Sequence, residues 1–129
     1  MYRPVVEAML RDSPTFRRQC VRIAGEAGLT VLLNVNPPPG RSDRRATTRL
    51  TREANGHLTA AVDIEPFQDT QELIAHEFEH IIEQLDGVNL AARAALPHTG
   101  VSAFGHRNPT FETTRAQRMG LKVVSELQR

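Results

Sequence analysis

Two histidines and a glutamate lie close together with the spacing of a metal site. The segment runs His76, Glu77, Phe78, Glu79, His80, which is the pattern HExxH. On an α-helix, at about 100° per residue, His80 falls about 40° and Glu77 about 100° from His76, so the three side chains share one arc. Two imidazoles one turn apart can bind one zinc ion, at about 2.0–2.2 Å, without bending the helix. The spacing therefore predicts a zinc site on a helix.

Glu77 follows the first histidine directly, where a general base would be useful. Zinc lowers the pKa of a coordinated water from about 15.7 towards about 7, and a neighbouring carboxylate can take the water's proton during attack on a carbonyl group. This is the chemistry of peptide hydrolysis. We therefore expect a zinc-dependent peptide hydrolase, with His76 and His80 as zinc ligands and Glu77 as the base.

A catalytic zinc site needs a third protein ligand, and the sequence offers several. Asp86 lies six residues after the second histidine, which resembles the metzincin pattern HExxHxxGxxD, but Glu83 stands where that pattern has a glycine that turns the chain. On a continuing helix, Asp86 would point away from the metal. We favour Glu112, which we place in the first turn of the last helix, on its inward-facing apolar stripe, because a carboxylate pointed inward needs a cation. His98 and His106 are weaker alternatives.

The elements that must position these residues follow from periodicity, capping and turn signals. We expect a helix over residues 14–27 that begins at Ser13 and Pro14, and a buried strand over 31–36. Antiparallel strands over 47–53 and 58–65 should flank a type I′ turn at Asn55 and Gly56. The HExxH helix should run from a capping box at Asp69 and Glu72 to Leu85, and the last helix from Asn108 to Leu127, after an irregular stretch over 96–106.

The HExxH helix is predicted to have three faces, one for the site, one for the core and one for solvent. The core face consists of apolar residues between about 140° and 240° from His76. Glu72, Glu79 and Glu83 fall between about 300° and 340°, so we assign them to the solvent face. On the last helix, the small residues Ala116 and Gly120 should let that helix approach the HExxH helix closely.

At this point the sequence resembles the gluzincins, HExxH zinc peptidases whose third ligand is a glutamate on a separate downstream helix. The resemblance covers roughly residues 14–127, and only HEFEH is a specific motif match. It implies a small zincin-like α+β fold of the compact minigluzincin kind, with a backing helix, a short three-stranded mixed sheet, the HExxH helix and the glutamate helix. It also implies His76, His80 and Glu112 as zinc ligands and Glu77 as the base.

The resemblance carries three further implications. An extended peptide substrate should pair with the edge strand, taken as Leu58 to Ile64. A His or Tyr should lie near the oxyanion of the transition state, with His98 and His106 as candidates. Many gluzincins have an aspartate four residues after the ligand glutamate as a partner of a zinc histidine, but Ala116 occupies that place here. Asp63, Glu65 and Arg115 are loose candidates for that role.

Length and composition bound the remaining possibilities. The chain of 129 residues, with 40% hydrophobic and 24% charged residues, fits one globular domain spanning residues 1–129. A formal charge of +1 gives a field too weak to argue for a nucleic-acid or membrane partner, and we expect neither. We expect a monomer that acts on a peptide or protein. The single cysteine, Cys20, excludes an intrachain disulfide and a cysteine-based zinc cluster. The N-terminus lacks the apolar core of a signal peptide. Because a signal peptide can be removed from a mature protein, this does not decide between an intracellular protein and a secreted or periplasmic one.

Two other functions remain open on sequence grounds. A zinc-binding scaffold, toxin or regulatory module could reuse the fold without hydrolysis, although a purely structural zinc site has no need for Glu77. An arginine-rich protein that binds nucleic acid, with a metal for stability, would need residues 41–52 to form one basic surface, and salt-dependent DNA binding would test this.

Overall fold

The computed structural model describes residues 3–35, 46–65, 68–87, 101–104 and 110–128. A three-stranded mixed sheet lies beside helices, which confirms the predicted α+β class. The elements, in chain order, are α1 (Arg3–Asp12), α2 (Pro14–Ala24), β1 (Leu29–Val35), β2 (Ala46–Arg52), β3 (Leu58–Ile64), α3 (Thr70–Leu85), β4 (Val101–Phe104), β5 (Thr110–Thr113) and α4 (Thr114–Leu127). In the described ranges, no helix is both long enough and apolar enough to span a membrane.

The N-terminal residues form helix α1, which the sequence analysis did not predict. Met9 is fully buried, and Val5, Val6 and Leu10 pack against the same core cluster. The segment before Ser13 is therefore part of the hydrophobic core. Helix α2 begins as predicted, since the Ser13 hydroxyl accepts a hydrogen bond from the Phe16 amide at 3.0 Å. It ends at Ala24 rather than at residue 27.

Strand β3 lies in the middle of the sheet, between β1 and β2. It pairs in parallel with β1 and antiparallel with β2. The assignment of Leu58–Ile64 as the edge strand is therefore wrong, and in the described sheet β1 and β2 are the edges. Successive side chains of β1 point to opposite faces of the sheet, and those on one face are exposed, with Leu32 56% exposed. The first strand was predicted to be buried, and this is wrong for the side that carries Thr30, Leu32 and Asn34, which are exposed.

The connection between β2 and β3 is a hairpin, as predicted, but its turn differs. Arg52 pairs with Leu58, and the Glu53 amide donates to the His57 carbonyl at 2.8 Å, so three residues form the loop. The Gly56 amide donates to the Glu53 carbonyl, and Gly56 has φ +88°. This is the geometry of a three-residue hairpin loop that ends in a left-handed glycine, in place of the two-residue type I′ turn.

Helix α3 has no broad solvent face. Its core face is buried as predicted, with Ile74 and Ile81 fully inaccessible. Glu79 and Glu83, which were assigned to solvent, are each only 2% exposed. The helix runs from Thr70 to Leu85, and the side chain of Asp69 makes no capping hydrogen bond, so the predicted capping box does not form.

The C-terminal region has strands where irregular structure and a longer helix were predicted. Strands β4 and β5 pair antiparallel, with Ser102 opposite Glu112. Helix α4 begins after Thr113, whose hydroxyl accepts a hydrogen bond from the Ala116 amide at 3.0 Å. Glu112 therefore lies on β5, two residues before the helix begins, instead of in a first helical turn. Asn108 and Pro109, the predicted start of the helix, lie outside the described residues.

Gly120 brings α4 against α3, which confirms the predicted close approach. A Cβ atom at this position would lie 2.9 Å from the Glu72 carbonyl oxygen and 3.5 Å from the His76 Cβ. The backbone oxygen cannot move away without shifting the helix that carries His76. The absence of a side chain at position 120 therefore sets the distance between the two helices.

Replacement of Gly120 by alanine should destabilise the protein. Overpacking typically costs about 1–3 kcal/mol, whereas alanine in place of glycine gains about 1 kcal/mol of helix propensity, so we expect a net loss of up to about 2 kcal/mol. Urea unfolding of the metal-free protein measures this change. Ser125→Ala, at an exposed position of the same helix, is the control and should be neutral or slightly stabilising. A gain in stability of about 1 kcal/mol, the value expected from helix propensity alone, would contradict the packing.

A carboxylate near the end of α4 accepts hydrogen bonds from residues at the start of α2. Glu126 accepts hydrogen bonds from the Ser13 hydroxyl at 2.6 Å, the Thr15 hydroxyl at 2.6 Å and the Thr15 amide at 3.0 Å. Burial raises the pKa of Glu126, but these hydrogen bonds outweigh burial and lower it to about 2. The ionised form is therefore favoured in the folded state, and the contact joins the start of α2 to the end of α4.

The contribution of Glu126 to stability should depend on pH. A depressed pKa stabilises the folded state above the ordinary glutamate value of 4.5, and this stabilisation is lost as the pH falls through about 2. Glu126→Gln should therefore be less stable than wild type at pH 7, with the difference shrinking between about pH 5 and pH 2. Urea midpoints of both proteins across this range provide the test. A difference that stays constant with pH would show that the charge is not involved.

Candidate metal centre

Four side chains that can bind a metal meet between α3 and β5. One ligand atom from each of His76, Glu77, His80 and Glu112 lies within 4.8 Å of the others. Helix α3 supplies three of them at the predicted spacing, and β5 brings the fourth from a distant part of the chain. In the part of the chain that the structure describes, this is the one group of three or more such residues that could hold a metal ion.

Both histidines present Nε2 to the same carboxylate oxygen. Glu112 Oε2 lies 2.7 Å from His76 Nε2 and 3.9 Å from His80 Nε2. The first distance is a hydrogen bond, and the second is too long to be one. The two rings meet edge to face, with centroids 4.8 Å apart. Three donor atoms of the types that bind zinc therefore converge on one point.

A buried nitrogen without a hydrogen bond indicates that a cation fits this site. His80 Nε2 is inaccessible to solvent and has no hydrogen-bond partner in the structure as described. Buried polar atoms are nearly always hydrogen-bonded, so an orphaned one needs an explanation. A metal ion held by His76, His80 and Glu112 would satisfy this atom, and the two-nitrogen, one-oxygen donor set suits a divalent transition metal.

The carboxylate of Glu77 is held by a hydrogen bond from the sheet. It is 2% exposed, and its Oε1 accepts a hydrogen bond from the Thr48 hydroxyl on β2 at 2.7 Å. Its other carboxylate oxygen, Oε2, lies 3.9 Å from His76 Nε2. One oxygen is thus fixed by the sheet, and the other lies toward the cluster. Thr48 was not singled out in the sequence, because nothing in the spacing along the chain places β2 beside Glu77.

The charges of the cluster shift the pKa of three groups. Burial raises the pKa of Glu77 and outweighs the nearby histidines and Thr48, which lower it. Burial lowers the pKa of His80, but the carboxylates of Glu112, Glu83 and Glu77 outweigh burial and raise it to about 10. Burial raises the pKa of Glu112, but His76 and His80 hold it well below its usual range. Without a metal the protonated form of His80 is therefore favoured, and metal binding to this ring must displace a proton.

Glu83 contacts the second histidine of the motif. Its Oε1 lies 2.8 Å from His80 Nδ1 and accepts a hydrogen bond from the Thr113 hydroxyl at 3.1 Å. A signal for this contact was present in the sequence, because Glu83 falls about 20° from His76 on the helical wheel and three residues after His80. The contact was not predicted, because this side of the helix was assigned to solvent.

Arg115, Asp86 and Asp63 form ion pairs with residues other than the cluster histidines. Arg115 donates to Glu79 and to Asp86, both at 2.7 Å. Asp86, at the C-terminal end of α3, also pairs with Arg22 at 3.4 Å. Asp63 on β3 pairs with Arg49 at 3.7 Å. Glu65 directly follows β3. His98 and His106, the candidates for oxyanion stabilisation, and Arg41, Arg44 and Arg45 of the arginine-rich loop lie outside the described residues.

Comparisons of this chain with models of protein families, with curated proteins and with solved structures find no match. The geometry of the four-residue cluster is thus the basis for inferring a function. This geometry defines a possible metal-binding site on a small α+β fold.

Removal of Glu112 and removal of Asp86, the two carboxylates considered as third ligand, should have different effects on metal affinity. Glu112→Ala should weaken metal binding by more than the roughly 10- to 100-fold that loss of a ligand's hydrogen-bonding partner costs, because it removes a donor that faces both Nε2 atoms. Asp86→Ala should bind metal like wild type, since the side chain of Asp86 is paired with two arginines. Competition with a chromogenic chelator measures both affinities. Weaker binding by Asp86→Ala, with Glu112→Ala unaffected, would exclude Glu112 as the ligand.

Proposed function

We propose that the protein is a zinc-dependent peptide hydrolase. The observation that carries this proposal is the position of Glu77. A metal site with only a structural role needs ligands, whereas here a buried carboxylate also lies beside the donor atoms and is fixed by Thr48. The resemblance of HEFEH to the gluzincin motif supports the same activity. His76, His80 and Glu112 would hold the zinc ion, and Glu77 would act as the base.

When bound, a zinc ion supplies Lewis-acid chemistry that polarises a carbonyl group and acidifies a water molecule near neutral pH. Glu77 accepts the proton of the attacking water on Oε2, because Oε1 is engaged with Thr48. The same carboxyl group then donates that proton to the departing amine. One carboxyl group can serve both steps because it first takes the proton as a base and then gives it up as an acid.

The sheet offers a place for an extended substrate beside the cluster. Strand β2 is an edge of the described sheet, and its residue Thr48 reaches Glu77. An edge strand has backbone groups that can pair with an added peptide. The substrate strand that the resemblance implies is therefore assigned to β2, in place of Leu58–Ile64. An extended backbone on β2 would pass next to Glu77.

The proposal is tested by incubating the metal-loaded protein with a diverse peptide library and detecting new termini by mass spectrometry. We expect cleavage that stops on addition of a chelator and returns on addition of zinc. The chelated protein should retain its far-ultraviolet circular dichroism spectrum below its melting temperature. Absence of cleavage by protein that contains a full equivalent of metal would favour the non-catalytic zinc scaffold.

A further inference from the structure

Glu83 is a buried carboxylate that the proposed chemistry does not use. It is 2% exposed, and an isolated charge at such a position would be costly. Its Oε1 receives both the His80 Nδ1 contact at 2.8 Å and the Thr113 hydroxyl at 3.1 Å. Because a carboxylate is only an acceptor, Nδ1 is the donor in the first contact. One nitrogen of His80 is thus committed to Glu83.

This contact decides which nitrogen of His80 faces the cluster. With Nδ1 bonded to Glu83, only Nε2 is available to a metal, and Nε2 is the buried atom that lies 3.9 Å from Glu112 Oε2. A histidine ligand whose other nitrogen donates to a carboxylate has its ring orientation fixed and its basicity raised. The aspartate that the gluzincin resemblance implies for such a role is absent, since Ala116 stands in that place.

Thr113 connects this carboxylate to the strand that carries Glu112. Its hydroxyl oxygen accepts the Ala116 amide hydrogen at the start of α4, while its proton is donated to Glu83. Thr113 also directly follows Glu112 in the chain. A single hydroxyl group therefore ties the start of α4, the end of β5 and the partner of His80 together.

We propose that Glu83, held by Thr113, is a positioning residue that fixes His80 for metal binding through Nε2. This inference rests on the metal centre of the proposed function, and it does not require hydrolysis. Replacement of Glu83 should weaken metal binding although Glu83 does not contact the metal. The usual cost of removing such a partner is about 10- to 100-fold in metal affinity.

Glu83→Gln is the main variant, and Glu79→Gln is its matched control. Both glutamates lie on α3, one turn apart, and each is 2% exposed, but Glu79 bonds to Arg115 and Gln19 instead of a cluster histidine. Zinc affinity is measured by competition with a chelator of known affinity, and cobalt absorption spectra report the ligand geometry. We expect about 10- to 100-fold weaker binding and an altered cobalt spectrum for Glu83→Gln. Glu79→Gln should bind both metals like wild type.

A role for Glu83 in stability alone would produce a different result. Both variants would then lower the melting temperature of the metal-free protein, and neither would change the zinc affinity of the folded chain. That outcome would overturn the proposal. If Glu83→Gln does not fold, Thr113→Val and Thr113→Ser replace it. Weaker zinc binding by Thr113→Val, with wild-type affinity in Thr113→Ser, would support the proposal. Equal zinc affinity of Thr113→Val and wild type would overturn it.

Because the experiment measures metal affinity, it tests the role of Glu83 separately from peptide hydrolysis. A wild-type protein that binds zinc but cleaves no peptide would remove the hydrolase proposal and leave the effect of Glu83 on affinity measurable. A wild-type protein that binds no zinc or cobalt would overturn both the metal centre and the role of Glu83.

Discussion

Purified protein is expected to contain about one zinc ion per chain, and His80→Ala is expected to lose it. The variant removes Nε2, the buried nitrogen that has no hydrogen-bond partner in the described structure, and leaves one histidine and one carboxylate to hold the ion. Elemental analysis of dialysed protein gives the stoichiometry. Chelation of wild type should also lower the melting temperature, because a ligand present at 100 times its Kd stabilises the folded state by about 2.7 kcal/mol.

His57→Ala is the control for this prediction. His57 lies outside the cluster, where its Nε2 is 2.8 Å from the Thr30 hydroxyl. The control should retain a full equivalent of zinc and the response to chelation. A full equivalent of zinc in His80→Ala, with unchanged affinity, would show that the ion binds elsewhere and would remove the basis for the proposed function.

Glu77→Gln should abolish most of the hydrolysis while the metal stays bound. Glutamine has the same shape and can still accept the Thr48 hydrogen bond, but it cannot take a proton from water. Loss of a general base typically lowers the rate by about 10² to 10⁴, so kcat should fall by at least this factor with little change in KM. Initial rates on the best substrate from the library, at equal zinc occupancy, provide the measurement.

Glu79→Gln is the control for replacing a buried glutamate by glutamine. It replaces an equally buried carboxylate on the same helix, whose partners are Arg115 and Gln19. It should retain the wild-type kcat when assayed below its melting temperature. Near-normal turnover by Glu77→Gln would assign the base to another residue, and a loss of zinc from that variant would make Glu77 a ligand.

The sequence was most informative where the signal is local. The HExxH spacing, the Ser13 cap and the hairpin between β2 and β3 each depend on a few neighbouring residues, and all appear in the structure. The core face of α3 was also predicted correctly, because helical periodicity places its apolar side chains on one side.

Contacts between distant segments account for the errors at Glu79, at Glu83 and in the order of the strands. Glu79 and Glu83 were assigned to solvent because glutamate is normally exposed, but the partners that allow their burial, Arg115 and Thr113, come from the C-terminal region. The order of strands in the sheet has no signature in periodicity, so the edge was assigned to β3 instead of β2.

Glu112 combines a correct placement with an incorrect reason. It was expected to face inward from the first turn of a helix, and it faces the histidines from the end of a strand. Thr113 begins α4 through its hydroxyl, which is a capping signal that the more conspicuous Asn108 and Pro109 obscured. Its inward direction was inferred from the apolar stripe of the last helix, and that reasoning does not apply because Glu112 precedes the helix.

The ligands come from parts of the chain that are far apart in sequence. His76 and Glu112 are separated by 36 positions, so an unfolded chain must close a loop of that length before both can hold one ion. The chain-entropy relation for cross-links gives a closure cost of about 4 kcal/mol, which corresponds to several hundredfold in affinity. The folded chain already holds the two ends together. A metal bound there would therefore act as a removable cross-link, and its release would leave α3 and β5 joined by packing and by the hydrogen bonds of Glu112 with His76 and of Thr113 with Glu83.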